Sequence, residues 1–324
     1  MTTTPDTTPR AECGVCGVEQ PVTKAGKLRK HKTAGDGVAM PCTGSGALVG
    51  AARIPRRNQR GYYRCHVTGR DLRSVTTILG KGSPKEALVH WAGNLVAETA
   101  IEHLPYLVKS SRREESRAEA YDWLRRAHTR KRDARADLGS AVHALIEAHV
   151  LDEPVRQALL DDPEMRPFLD NFLQFVADFE EVTFEASEMV VANYSAGYAG
   201  TLDYLLRSPH IADGALLMGD TKTGGALGVR GVYPEAGIQM SAYRRAEHGW
   251  LRNGDRVEFP QDVHDVGVVL HLRPEGYQVI PVRCGDDVFS AFLHIRAVAD
   301  FHTDLAPNVI GAPLTPKATT RKAA

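Results

Sequence analysis

Residues 215 to 223 read Ala-Leu-Leu-Met-Gly-Asp-Thr-Lys-Thr. The first half is an apolar run of strand length, bounded upstream by the turn residues Ser208, Pro209, Asp213 and Gly214. Side chains alternate along a strand, so Asp220 and Lys222 share one face and Thr221 takes the other. A carboxylate and an ammonium at the end of a buried strand are costly to desolvate unless they have a partner or a task. A structural Asp–Lys pair closing the strand end would meet that need as well as a reactive site would.

Upstream, residues 197 to 207 read Gly-Tyr-Ala-Gly-Thr-Leu-Asp-Tyr-Leu-Leu-Arg, a second strand with Asp203 inside an apolar pattern. An antiparallel hairpin centred near Ile211 sets residue 203 opposite residue 219 or 220. Two neighbouring carboxylates repel unless a cation lies between them or one keeps its proton. Oxygen ligands suit a hard ion such as Mg²⁺ or Mn²⁺. A lysine beside such an ion can orient a water nucleophile or neutralise charge on a phosphate.

The order Asp203, then Asp220-Thr-Lys222, resembles the active-site signature of the PD-(D/E)XK nuclease superfamily. Gly139-Ser-Ala-Val-His143 is similar to the Gly-x-x-x-His motif of its RecB-like branch, which includes phage and CRISPR-associated exonucleases. Gln239-Met-Ser-Ala-Tyr243 is similar to that branch's Gln-x-x-x-Tyr motif. The resemblance covers roughly residues 70 to 300. It implies an α/β fold with a restriction-endonuclease-like core, a mixed central sheet flanked by helices. It also implies metal-dependent hydrolysis of DNA. His143, Asp203, Asp220 and the Thr221 main-chain carbonyl would hold one or two Mg²⁺ or Mn²⁺ ions, and Lys222 would steady the transition state. Glu188 resembles a glutamate often found on the first strand of these cores, in support of the metal; a strand-end surface charge is the alternative. Gln239 and Tyr243, one turn apart on a helix, would reach a phosphate or orient Lys222, or simply be polar helix surface.

Helical spacing puts Gly139, His143 and Glu147 on one stripe of a helix expected from Asp137 to Val150, beside the apolar Leu138, Val142, Leu145 and Ile146. A histidine there is a core residue or a ligand, and the motif favours the ligand. Gly139 is expected to open room for close approach. Trp91, at helical spacing from Leu88 and Leu95, is expected in the core, with a base-stacking platform as the alternative.

The 324 residues carry 43% hydrophobic and 25% charged residues and a formal net charge of zero. Any nucleic-acid surface must therefore come from local basic patches. The lopsided cluster of Arg125, Arg126, Arg130, Lys131 and Arg132 is the best candidate for contact with a DNA backbone. No apolar run approaches the roughly 18 residues of a membrane span, and Met1 to Arg10 lacks the apolar core of a signal peptide. Five cysteines without such a signal point to a reducing cytoplasm and to metal over disulfides.

Cys13 and Cys16 have the knuckle spacing of a zinc site, and His31 and Cys42 follow in a stretch too short and polar to build a core. Structural Zn²⁺ on these four residues is expected, with Cys65 or His66 as substitutes. Incidental thiols beside a solvated basic loop would be the alternative. Only Cys284 lies after the nuclease-like motifs, so no iron–sulfur cluster is expected. No phosphate-binding Gly-x4-Gly-Lys-[Ser/Thr] loop occurs.

The expected organisation is a disordered start (1–10), a zinc-finger-like module (11–46), a linker (47–61), a nuclease domain (62–310) and a disordered basic tail (311–324). The expected function is an exonuclease at DNA ends, in phage-type recombination, replication or repair, beside a recombinase or annealing protein. A restriction-like endonuclease and a non-catalytic zinc-module DNA-binding protein are the alternatives.

Overall fold

The computed structural model describes residues 9–13, 18–35, 38–42, 45–46, 54–64, 69, 71–83, 86–228 and 231–314. Cys16, Cys65 and His66 lie outside them, as do most of the two expected disordered ends and the first part of the expected linker.

The N-terminal module consists of two ribbons. Strands β1 (Arg10–Glu12) and β2 (Glu19–Pro21) pair antiparallel, as do β3 (Lys32–Gly35) and β4 (Val38–Pro41). Arg10, expected to be disordered, opens β1. Residues 54–61 are no free linker either. Ile54 packs against the cluster of Tyr63, Leu72 and Trp250, and Arg57 donates to Ser74 Oγ and Thr77 Oγ1 at 3.2 and 3.1 Å.

The remainder is mixed α/β, a large mixed sheet with helices on its faces. Strands β5 (Tyr62–Arg64) and β6 (Asp71–Ser74) lead into helix α1 (Val75–Gly82), capped by the Ser74 hydroxyl on the Thr77 amide. Helices α2 (Glu86–Glu102), α3 (Leu104–Ser110), α4 (Glu114–Arg125), α5 (Ala127–Val150), α6 (Gln157–Leu160) and α7 (Arg166–Asp178) follow. Strands β7 (Thr183–Asn193), β8 (Tyr198–Arg207) and β9 (Leu217–Lys222) come next. Then come helix α8 (Glu235–Arg244), the short strands β10 (His248–Trp250) and β11 (Arg256–Glu258), the hairpin β12 (Val266–Arg273) and β13 (Gly276–Arg283), and helix α9 (Asp286–Asp300).

Among the described residues the sheet has nine strands, ordered β11-β10-β7-β8-β9-β12-β13, with β6 also pairing β8 and β5 pairing β6. β9 and β12 run parallel, as do β6 and β8; the other pairs are antiparallel. One core joins α1, α8 and α9 to the sheet through Ile78, Met240, Tyr198, Met218 and Phe292. A second packs α5 and α7 through Leu145, Ile146, Phe168, Phe172 and Phe175 on Leu270 and Leu272. Both helix sets bury large apolar side chains, which supplies most of the driving force for the fold. No helix among the described residues is long and apolar enough to cross a membrane.

Two helix expectations change. The helix expected to begin at Asp137 begins at Ala127, so Arg130, Lys131, Arg132 and His143 share one continuous helix, while Arg125 ends α4 and Arg126 lies between the two. Trp91 is not a core residue, because α2 has no buried side chain; the Arg135 guanidinium lies 5.6 Å from its ring centroid.

Candidate functional site

The β8–β9 hairpin pairs Leu206 with Leu217, Leu205 with Met218 and Tyr204 with Gly219, so the next step sets Asp203 against Asp220. On its other edge β8 pairs with β7, Tyr204 against Ser187 and Leu202 against Met189, which sets Glu188 against Asp203. Glu188, Asp203 and Asp220 thus form a row across three adjacent strands, on one face of the sheet.

Each carboxylate is held from a different direction. The Thr221 amide donates to Asp203 Oδ2 at 2.7 Å. Gln239 on α8 approaches Asp220 Oδ1 from Nε2 at 3.4 Å, a long hydrogen bond. Lys222 Nζ lies 2.5 Å from Asp220 Oδ2, a tight ion pair. From the α5 side, His143 Nδ1 sits 3.5 Å from both Glu188 Oε1 and Asp203 Oδ2. His143, Glu188 and Asp203 can offer ligand atoms that all lie within 4.8 Å of one another. Asp220 stands beside that trio and turns to Lys222.

Glu188 has a φ of 47°, in the left-handed region that a side chain disfavours. Such backbone costs about 1–3 kcal/mol and persists only where the surroundings impose it. Beneath the row, on the opposite face, Tyr204 Oη and Thr221 Oγ1 share a hydrogen bond at 3.1 Å.

Burial decides the protonation of the row. Desolvation pushes the Asp220 carboxyl up to about 6, with Lys222 pulling it down and Asp203 pushing it further up. Desolvation also raises Asp203, against the pull of His143, Lys222 and the Thr221 amide. For His143, burial works to lower the pKa, but the Glu188 hydrogen bond and the charges of Asp203, Glu188 and Asp220 win and hold it up at about 9. For Lys222, desolvation again loses to Asp220 and Asp203, so the ammonium is retained. Burial, more than mutual repulsion, thus raises the two aspartates, while His143 and Lys222 keep their protons beside them.

The row opens into a cleft of about 490 Å³ lined by Ala136, Gly139, Ser140, His143, Glu147 and Glu188, among others. Gly139 is not forced by a clash there, since a Cβ would meet Thr223 Oγ1 at an ordinary 3.5 Å. Desolvation and Glu188 raise the Glu147 carboxyl, and Arg252 lies 3.7 Å from Glu147 and 3.5 Å from Glu153.

Tyr243 is not placed to touch a phosphate. It is 3% exposed and packs on Gly200, where a Cβ would fall 2.3 Å from the ring. Gly200 is therefore a site-supporting residue that sequence reasoning missed. Its signal was a glycine inside a strand, which marks close approach of another group.

Of the five basic candidates, Arg125 and Arg126 both engage Asp122, Arg130 donates to the Trp123 carbonyl at 2.6 Å and lies over its ring, and Arg132 meets Asp133 at 2.8 Å. All five, Lys131 included, are exposed. Arg132 alone of them falls on the His143 stripe of α5, since Arg132, Ala136, Gly139 and His143 recur at three- and four-residue steps.

In the N-terminal module Cys13 and Cys42 are buried with Sγ atoms 3.8 Å apart, and His31 completes a trio within 4.8 Å. The His31 Nδ1 contacts the Arg29 carbonyl at 2.8 Å, and its Nε2 is buried without a hydrogen-bond partner.

Neither a scan against protein-family models nor a search of curated proteins found a match for this chain.

Proposed function

We propose that this protein is a divalent-metal-dependent deoxyribonuclease of the PD-(D/E)XK superfamily, close to its RecB-like branch, and that it acts as an exonuclease on DNA ends. The observation that carries the proposal is the row Glu188, Asp203 and Asp220 on three neighbouring strands, flanked by His143 and Lys222. The donor set fits Mg²⁺ or Mn²⁺: hard carboxylate oxygens with one imidazole, crowded enough that desolvation raises two of the carboxyls. Glu188, Asp203 and His143, with Asp220 and the Thr221 carbonyl, would hold one or two ions. When bound, such ions polarise a phosphate and make an activated water available at neutral pH.

The chain's own residues do the positioning. The Thr221 amide and Gln239 fix the two aspartates from opposite sides. Lys222, kept as an ammonium, stands where it can orient the attacking water and stabilise the charge that grows on the phosphate oxygens. Water attacks phosphorus and gives a proton up to solvent, the phosphorus–oxygen bond to the leaving strand breaks, and the leaving oxygen takes a proton from solvent. Arg132, on the His143 stripe, extends positive charge away from the cleft along the path a backbone would follow.

The N-terminal trio supports a structural Zn²⁺ site. Two zinc-bound thiolates at about 2.3 Å each lie about 3.8 Å apart in a tetrahedron, the separation found for Cys13 and Cys42. A disulfide would need about 2.05 Å. The Nδ1–H of His31, donated to the Arg29 carbonyl, leaves Nε2 as a lone pair for metal. Cys16 is the candidate for the fourth corner.

The test is digestion of end-labelled linear duplex, single-stranded and covalently closed circular DNA with Mg²⁺ or Mn²⁺, beside Asp220→Ala. Linear DNA shortened from its ends, the circle spared and the variant on the order of a thousandfold slower is the expected outcome. Cutting of the circle would move the activity to an endonuclease. An Asp220→Ala protein that cuts like the parent would sink the assignment.

A further inference from the structure

Besides its Cys–His trio, the N-terminal module carries a one-sided run of charge. From Gln20 to Gly35 the chain holds five cations, Lys24, Lys27, Arg29, Lys30 and Lys32, and no carboxylate. All five are exposed. None has an ion-pair partner among the described residues, and the nearby Glu19 faces Arg10 at 3.7 Å. In a chain of zero formal net charge, such a run is a local field and not a share of a general excess.

The local fold sorts this run by face. Leu28 is 3% exposed and joins the cluster of Cys13 and Cys42, and His31 completes the trio with its Nε2 buried. Lys27, Arg29, Lys30 and Lys32, between and beside those two, are left outside. Lys24 stands in the tight turn closed by the Thr23 amide, which donates to the Lys27 carbonyl at 2.7 Å. The backbone under the cations is pinned from both sides. The Arg29 amide donates to the Pro21 carbonyl at 2.9 Å, and the Leu28 carbonyl accepts from the Gly46 amide at 2.9 Å. The His31 amide donates to Ser45 Oγ at 2.9 Å, and its carbonyl accepts from the Cys42 amide at 2.9 Å. The charges are displayed on a fixed frame, which lowers the entropy that binding must remove.

What is exposed selects the partner. Four of the five cations are lysines, point charges that suit phosphate oxygens and carry little information about base edges. Lys27 to Lys32 spans at most about 18 Å of chain, a length along which one strand of duplex presents about five phosphates. An anionic membrane fits less well. Val18 is the one large apolar side chain exposed among the described residues of the module, so little is on offer to insert between lipids.

We infer that the face formed by Lys24, Lys27, Arg29, Lys30 and Lys32 is a second DNA contact, a sequence-independent grip on the phosphate backbone outside the carboxylate cleft. It rests on the nuclease reading for the identity of the polyanion and on the zinc site for the order of the module.

The test is DNA binding without turnover. The full-length protein is titrated with a labelled duplex over a range of salt concentrations, in the absence of Mg²⁺ and Mn²⁺. Beside the parent stand two fivefold variants. One carries Lys24→Gln, Lys27→Gln, Arg29→Gln, Lys30→Gln and Lys32→Gln; the other keeps the charge, with Arg at the four lysines and Arg29→Lys. Zinc content and melting should agree among the three, since every substituted side chain is exposed. The glutamine variant should bind about tenfold or more weakly and lose about three from the slope of log affinity against log salt, at about one per phosphate contact. The charge-keeping variant should retain both. An unchanged slope in the glutamine variant overturns the surface, as does an equal loss in the charge-keeping one. Unchanged DNA binding with lost adsorption to phosphatidylserine vesicles or to polyglutamate would assign the face to a membrane or an acidic protein, and overturns the DNA contact. A slope lost with the charges in a protein that cuts no DNA supports the surface and overturns hydrolysis. Cutting from DNA ends by a protein whose slope the glutamines leave untouched overturns the surface alone.

Discussion

The carboxylate row and the Cys–His trio are both clusters of metal-ligating side chains, and they are built in opposite ways. The row sits on strands whose neighbours Leu202, Leu205, Leu206, Leu217 and Met218 are all at most 3% exposed. Its like charges are forced together by a sheet that would form anyway, and the cost is visible in the raised Asp203 and Asp220 carboxyls and the left-handed Glu188. Around the trio, by contrast, the cluster holds Leu28, Cys13 and Cys42, with Ala11 and Val22 at its edge. Among the described residues that is a small cluster, of the size at which a bound metal contributes most to folding. In the first region the fold imposes the site; in the second, under the proposed zinc reading, the site imposes the fold.

The largest effect should therefore come from removing metal. Chelation, or Cys42→Ser, is expected to unfold the module outright, since structural zinc contributes roughly 10–16 kcal/mol in small domains. The sheet should keep its melting transition under the same treatment. Amide exchange reads both regions at once. The Cys13 amide, bonded to Val18, and the Cys42 amide, bonded to His31, should lose protection, while amides of β8 keep theirs. Module amides that stay protected without zinc would break the contrast.

The second test uses pH on the metal-free protein. His143 is raised from 6.5 to about 9 in the fold, so its contribution is fully present below about pH 6.5 and is lost as pH climbs through 9. Asp220 is raised as well, from 3.8 to about 6, so its contribution is lost as pH climbs between those values and adds only the lowest part of the change above pH 5.5. Both shifts have the same sign. Without metal the core should melt several degrees lower at pH 9 than at pH 5.5. Mn²⁺ should oppose that loss, because the ion displaces the imidazole proton and neutralises the carboxylates, so its affinity should rise with pH over the same interval. His143→Gln should remove the upper half of the pH dependence. Flat melting temperatures from pH 5.5 to 9 would mean that His143 does not carry the carboxylates' field.

The hairpin that sets Asp203 against Asp220 was legible because strand period and turn length are local properties. Residues 215 to 223 carry both in a single stretch. His143 was reachable through its motif, but the length of its helix was not. Ala127 to Asp137 is so rich in charge that no apolar stripe announces the helix, which is held by contacts of its second half. Glu188 was named only as support, since its place opposite Asp203 depends on the β7 register and on the bulge between Phe184 and Ala186. Trp91 failed for the opposite reason: its spacing is right for a core, yet α2 packs on neighbouring helices that leave it only half-buried, with no side chain fully enclosed. Tyr243 was legible as a helix position but not as a buried one, because Gly200 lies in another element.

Gly200→Ala tests that last contact and should have a moderate effect. The new Cβ would lie 2.3 Å from Tyr243 Cε1, both residues being buried, and overpacking of this kind costs about 1–3 kcal/mol. The melting temperature should fall by several degrees. Adding Tyr243→Leu should recover part of the loss, a coupling that separate effects would not show. Two strictly additive losses would mean that the ring does not rest on Gly200.

The smallest effect concerns DNA outside the cleft, and here α5 makes a sharp distinction. Arg132 precedes His143 by eleven residues on the same stripe, about 16 Å along the axis. Lys131, one position earlier, is rotated by about 100° and faces away from the cleft. Both are exposed, and the Arg132–Asp133 contact is a surface pair worth under about 1 kcal/mol, so it leaves the guanidinium available. If the backbone runs from the metal cluster along this stripe, Arg132→Ala should weaken DNA binding severalfold and lower the slope of log affinity against log salt by about one. Lys131→Ala should change neither by more than a small fraction of that. Equal losses from both would show that the helix acts only through its overall charge, and that the path of the DNA is not set by the His143 stripe.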